Sequence, residues 1–172
     1  RRLLVRQDSR TGLLWDVIRD ERVMEFHLPL DDSIERSHPT GYIRDIFLTV
    51  DGSRAVAFTV DHVFIWTASD GELESHILGE LKGISTTASH LLMERDALTY
   101  VVNGRTGEIL STLDVGDSRE YWSTGFGPIK VYFLHNKQLL AIQYDGGDRY
   151  VDLFDVASGR RVERFDSSPD FQ

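Results

Sequence analysis

The sequence predicts an all-β chain built from four small antiparallel sheets in series. Three observations predict it. Short apolar runs of four to eight residues recur from end to end, glycine-containing corners separate them, and one spacing pattern repeats four times. The stretch 38–78 shows the unit most clearly. Its runs 42–48, 55–60, 62–67 and 73–78 are divided by Val50-Asp51-Gly52-Ser53, by Asp61 and by Ala68-Ser69-Asp70-Gly71. An Asp-Gly pair suits a hairpin corner because glycine takes positive φ without steric cost and aspartate tolerates it. Four runs with tight corners make one meander.

Repetition is the stronger argument. With Trp15, Trp66, Val102 and Phe154 taken as third-strand anchors, the position five residues later holds Asp20, Gly71, Gly107 or Gly159, which are turn formers. The position eleven later holds Phe26, Ile77, Leu113 or Phe165, always large and apolar. The units so defined span approximately 1–28, 38–80, 83–115 and 122–166. The first contains runs 2–7, 12–16 and 22–26 and is one strand short. The third is read as 83–89, 90–93, 97–102 and 108–113, with the corner Asn103-Gly104-Arg105-Thr106-Gly107. The fourth comprises 131–134, 138–144, 149–156 and 161–165, with Asp148 six residues before Phe154, as Asp96 is six before Val102.

The order histidine, apolar strand, Phe-x-x-x-Asp-Gly, small apolar strand, Asp, Ile-Trp and a second Asp-Gly resembles a WD repeat, one blade of a β-propeller. The first unit carries the Trp-Asp dipeptide itself at Trp15-Asp16, and the fourth has Phe154-Asp155 there. The resemblance implies a WD-repeat-like propeller segment of about four blades, the first lacking its innermost strand, within a ring of seven or eight. It also implies a structural hydrogen-bonded set matching His38, Thr59, Asp61 and Trp66, with Asp96, Asp148, Trp15 and Phe154 at the corresponding places in other units. Because a propeller gives every blade two neighbours, the remaining blades are expected from the parent chain or a second chain. A first residue of Arg rather than Met fits a segment cut from something longer.

Composition excludes several function classes. Forty-one per cent hydrophobic and 27% charged residues are ordinary for a globular domain. A formal net charge of −9 argues against nucleic acid or an anionic membrane as partner, since both require clustered Lys and Arg. The absence of cysteine precludes disulfides and thiolate metal sites, and mildly favours a reducing compartment, cytoplasmic or nuclear. No apolar stretch approaches the roughly 18–20 residues of a spanning helix, and no signal-like N-terminus is present.

Chemical motifs are few. His27, His38, His62, His76, His90 and His135 are dispersed without the close spacing of a zinc site. Asp145-Gly146-Gly147-Asp148, with Asp152 nearby, lacks the alternating ligands and terminal Glu of a calcium loop and reads as a hairpin corner. No Gly-x-Ser-x-Gly elbow occurs, and Gly125-Phe126-Gly127 is not followed by the helix a phosphate cradle requires. The sequence therefore predicts no catalytic residue, no cofactor and no metal. The expected role is a scaffold or recognition module for a protein or peptide, on Tyr121, Trp122 and Phe126 of a Gly-flanked connection and then on Arg44 and Arg149. The alternatives are a non-catalytic propeller domain of an enzyme and a ligand-sensing propeller of a nucleotide-driven switch protein.

Overall fold

A computed structural model describes residues 2–29, 42–116, 130–134, 138–145 and 149–166. All its regular structure is strand. β1 (Arg2–Arg6), β2 (Thr11–Asp16) and β3 (Glu21–His27) form a three-stranded sheet. β4 (Asp45–Leu48), β5 (Arg54–Phe58), β6 (His62–Thr67) and β7 (Leu73–Leu78) form a four-stranded meander. β8 (Glu80–Ile84), β9 (His90–Arg95), β10 (Leu98–Asn103) and β11 (Ile109–Thr112) form the next. β12 (Lys130–Leu134), β13 (Leu139–Asp145), β14 (Arg149–Asp155) and β15 (Arg161–Asp166) form the last. Every pairing is antiparallel.

The third sheet corrects the sequence reading at one edge. The sequence places its first strand at 83–89, yet β8 begins at Glu80 and ends at Ile84, and a turn follows. Gly83 therefore does not open the strand. It lies inside, because the backbone there passes so close to Val131 that a Cβ would collide with that side chain. The break is Gly79, at φ 136° between β7 and β8.

The anchor spacing has a backbone cause. Each of the four outer hairpins carries a register shift at its anchor: between Leu14 and Trp15, Ile65 and Trp66, Val101 and Val102, and Leu153 and Phe154. An extra residue in the outer strand makes a β-bulge, which bends the strand and increases its twist. Five residues beyond each anchor the chain enters the left-handed region, at Asp20 (φ 55°), Gly71 (φ 76°), Gly107 (φ 72°) and Gly159 (φ 70°). One turn geometry is thus built four times.

The chain forms two compact units. In the unit holding the first two sheets, Leu14, Phe26, Ala55, Phe64 and Trp66 make a buried cluster with Leu28 and Ile43. The Phe26 ring lies 5.4 Å from that of Trp66, and Phe64 stacks 5.9 Å from Trp66. Arg2 and Arg6 of β1 donate to the carbonyls of Ala68 (3.1 Å) and Ile43 (2.8 Å), tying one sheet to the other at opposite ends. In the other unit, Leu92, Val101, Leu113, Leu140, Tyr144 and Phe154 belong to a second cluster. Full burial of each such large side chain contributes roughly 1.5–3 kcal/mol.

Candidate interaction surface

The surface is best built from the turns. In the hairpin closing β2–β3, β6–β7, β10–β11 and β14–β15, the residue after the anchor is Asp16, Thr67, Asn103 or Asp155. The Asp16 carboxylate accepts the amides of Ile18 (2.9 Å) and Arg19 (3.2 Å), and Asp155 accepts the Ser158 amide (2.8 Å) and hydroxyl (2.6 Å). Hydrogen bonds to the charged form lower a carboxyl pKa. The Arg19 and Ile18 amides hold Asp16 below the ordinary range, and the Ser158 hydroxyl and amide do so for Asp155. In the second sheet Thr67 hydrogen-bonds Asp70, whose carboxylate also takes the Glu72 amide at 3.1 Å. The aspartate of the Trp-Asp dipeptide is therefore a local turn cap. It satisfies amides that would otherwise lack partners.

The β4–β5 turn has its own cap. Asp51 accepts Thr49 Oγ1 at 2.6 Å together with the Ser53 amide and hydroxyl, and its pKa falls to about 2. Val50, at the tip, is 84% exposed. Val17 and Ile18 on the β2–β3 turn are also exposed, at the same end of this unit as Val50 and Ala68. Exposed aliphatic side chains at hairpin tips contrast with the polar residues usual in turns.

Of the expected set around Trp66, Thr59 and Asp61 lie together at one corner. Thr59 Oγ1 lies 3.2 Å from Asp61 and receives the His62 amide at 3.1 Å, while the Thr59 amide donates to the His62 carbonyl. This closes the β5–β6 corner at Thr59–His62. Asp61 stands five residues before its anchor, where Asp96 and Asp148 stand six before theirs. Its carboxylate lies 3.6 Å from His62 Nε2, and Trp66 is four residues further along the strand, roughly 13 Å away. Trp66 is buried against aromatic rings. His38 and Asp148 lie outside the described residues. Trp15 Nε1 donates to Asp20 (3.3 Å), Phe154 is fully buried, and Asp96 sits exposed in a tight β9–β10 corner with positive φ at both Asp96 and Ala97.

Of the expected partner-binding residues, Arg44 precedes β4, is exposed, and approaches Glu80 to 4.0 Å. Arg149 opens β14 opposite Asp145. Tyr121, Trp122 and Phe126 lie outside the described residues.

Three polar clusters are not apparent from the sequence. The histidines, dispersed along the chain, include a pair: His62 Nδ1 and His76 Nε2 are 2.8 Å apart, hydrogen-bonded, with His76 stacked 4.4 Å over Phe64. They sit diagonally across β6 and β7, since His62 opposes Leu78 and Phe64 opposes His76. Burial, and then the neighbouring His62, lower the His76 pKa. Asp152 is fully buried and held by Arg164 through two bonds of 2.7 and 2.8 Å, with Arg161 at 3.6 Å and Arg164 4.0 Å over the Tyr150 ring. It is a core ion pair and not part of a corner. Glu74, at the bulge of β7, takes Arg54 at 2.5 Å and Arg105 at 2.7 Å, and Arg54 also donates to the Thr87 carbonyl. Each cluster becomes visible only through strand register. Among the described residues no group of three or more His, Cys, Asp or Glu side chains could hold a metal ion.

No protein-family model matches the sequence, and no curated protein does. Solved structures match over nearly the whole chain. Hsv2 of Kluyvelomyces marxianus superposes with a TM-score of 0.66 over 98% of this chain and 47% of that one, at 13% identity. Hydrazine synthase of Kuenenia stuttgartiensis gives 0.62 over 96% and 46%, at 17% identity. The C-terminal WD40 domain of Sif2 gives 0.57 over 92% and 41%, at 17% identity. The fold is that of a WD40-type β-propeller, of which this chain spans a little under half the length of these structures.

Proposed function

We propose that this chain is a recognition module: a propeller segment that offers its hairpin turns to a protein or peptide partner, inside an intracellular protein whose catalysis, if it has one, is carried elsewhere. The observation that supports this reading is the repeated outer turn. Its backbone is fixed four times over by a bulge and a left-handed residue. The side chains it exposes nevertheless differ each time: Ile18-Arg19, Ser69-Asp70, Arg105-Thr106 and Ala157-Ser158. A rigid frame carrying variable exposed residues suits binding, because little ordering entropy is lost on association. Fold alone does not choose a role; the exposed Val50 and Arg44 at turn and strand ends give this one its contact chemistry.

The test is recovery of partners by the intact parent protein, comparing wild type with Val50→Asp, Arg44→Glu and Trp122→Ala. Specific partners are expected to drop at least tenfold for one or more variants while far-UV circular dichroism is unchanged. Identical recovery by all three would sink the reading.

A further inference from the structure

The outer hairpin of the second sheet holds two imidazoles on one diagonal. His62 stands four residues before the Trp66 anchor and His76 ten after it. Since His62 opposes Leu78 and Phe64 opposes His76, the side chains of His62, Phe64 and His76 share one face of the sheet. His62 Nδ1 and His76 Nε2 then come within 2.8 Å. The fourth sheet shows that strand register makes this meeting place. There the same two positions hold Tyr150 and Arg164, and the Arg164 guanidinium lies 4.0 Å from the centre of the Tyr150 ring. The first sheet has Thr11 and Glu25 at these positions and the third has Leu98 and Thr112. Only the second sheet puts two imidazoles there.

Both rings are positioned in advance. His62 is 8% exposed, its amide donates to Thr59 Oγ1 at 3.1 Å, and its ring lies 5.9 Å from that of Phe64. His76 stacks 4.4 Å over Phe64 at an interplanar angle of 12° and keeps solvent contact. Asp61 Oδ1, 3.6 Å from His62 Nε2, stands where a carboxylate orients a ligating imidazole. It favours hydrogen on Nε2 and so leaves the Nδ1 lone pair facing His76. Burial, and then the neighbouring His62, favour neutral His76, the form that ligates metals.

We propose that His62 Nδ1 and His76 Nε2 bind a divalent transition-metal ion, copper(II) above all, as two adjacent ligands of a square arrangement completed by water. The spacing selects the metal class. Two nitrogens each about 2.0 Å from a metal and at right angles lie about 2.8 Å apart, whereas a tetrahedral angle parts them by about 3.3 Å. The observed 2.8 Å fits the square geometry of copper(II) and nickel(II), and copper binds the more tightly of the two. The rings need only tip for both lone pairs to converge on the ion, which the exposed His76 permits. On binding, the hydrogen on His76 Nε2 passes to its Nδ1 through exchange with water, so no net proton is released. A net charge of −9 adds a general attraction for cations. This inference is independent of the binding role proposed above.

Titration of the full 172-residue chain with copper(II) chloride from about 1 to about 100 µM, followed by calorimetry and electron paramagnetic resonance, tests it. One equivalent is expected to bind, with an axial spectrum split by two imidazole nitrogens. His76→Gln and His62→Gln each weaken binding at least tenfold and remove that two-nitrogen splitting. Circular dichroism confirms that each variant is folded, and His76→Gln, at an exposed position, leaves the core intact. Copper held elsewhere on the surface keeps its affinity in both variants, so unchanged binding overturns the proposal. So does a wild type that takes up no copper by about 100 µM, or a spectrum without imidazole splitting.

Discussion

His62 Nδ1 and His76 Nε2 meet at 2.8 Å across β6 and β7, with His76 lying flat against Phe64. This pair sets a pH dependence. His76 has a lowered pKa from burial and then from His62. Its unfolded value is about 6.5, so below that pH the unfolded chain binds more protons than the folded one. The contribution of neutral His76 is therefore fully present above about pH 6.5 and is lost as pH falls from there through its folded pKa. Urea midpoints measured between about pH 7.5 and about pH 5 should fall with pH, and His76→Gln should flatten that slope.

Asp152 and Arg164 make a second test. Removing one partner of a buried pair costs about 3–5 kcal/mol, because the other is left uncompensated. Arg164 retains some solvent contact, which places Asp152→Ala near the lower end, about 3 kcal/mol. The double variant Asp152→Ala with Arg164→Leu should lose less than Asp152→Ala alone. Chemical denaturation of the four proteins in a mutant cycle measures this.

Glu74 divides its two arginines unequally. Arg54 is largely buried and Arg105 is mostly exposed. Arg105→Ala is expected to cost under about 1 kcal/mol. Glu74→Ala should cost roughly 2–3 kcal/mol, since it strips the buried Arg54 of its counter-charge. Thermal unfolding of the two variants should rank them in that order, and equal losses would contradict the arrangement.

Backbone strain gives predictions of both signs. Ala97 holds φ 58° beside Asp96 at φ 53°, and a left-handed alanine costs about 1–2 kcal/mol. Ala97→Gly should therefore raise stability by about 1 kcal/mol. Gly159→Ala should do the reverse, and by more than Gly107→Ala. Both need positive φ, but a Cβ at residue 159 would also strike the Thr112 carbonyl, whereas at 107 it finds only ordinary contact with Ile77. Denaturant midpoints separate the three.

Much of the fold is legible in the sequence because local chemistry and register agree. The runs 62–67 and 73–78 coincide with β6 and β7, and the anchors at Trp15, Trp66, Val102 and Phe154 mark the four bulges. Spacing reveals a backbone device even where the side chain has changed, as at Val102. Gly83 misleads because a glycine required for close approach to Val131 has the same letter as a glycine that bounds a strand. The polar clusters are hidden for another reason. His62 with His76, and Asp152 with Arg164, lie 14 and 12 residues apart. Only the pairing of strands brings them together, and Phe165 shares the apolar character of Phe26 without its burial.

The four bulged outer turns have a practical consequence for engineering. Since each enters and leaves its hairpin with the same register shift and the same left-handed residue, the tip of one is a cassette. Ser69 exchanged for Ile, as at Ile18, would keep the strands in step because buried Ala68 and the turn-closing Asp70 stay in place, and a residue displayed there would inherit its setting from the host.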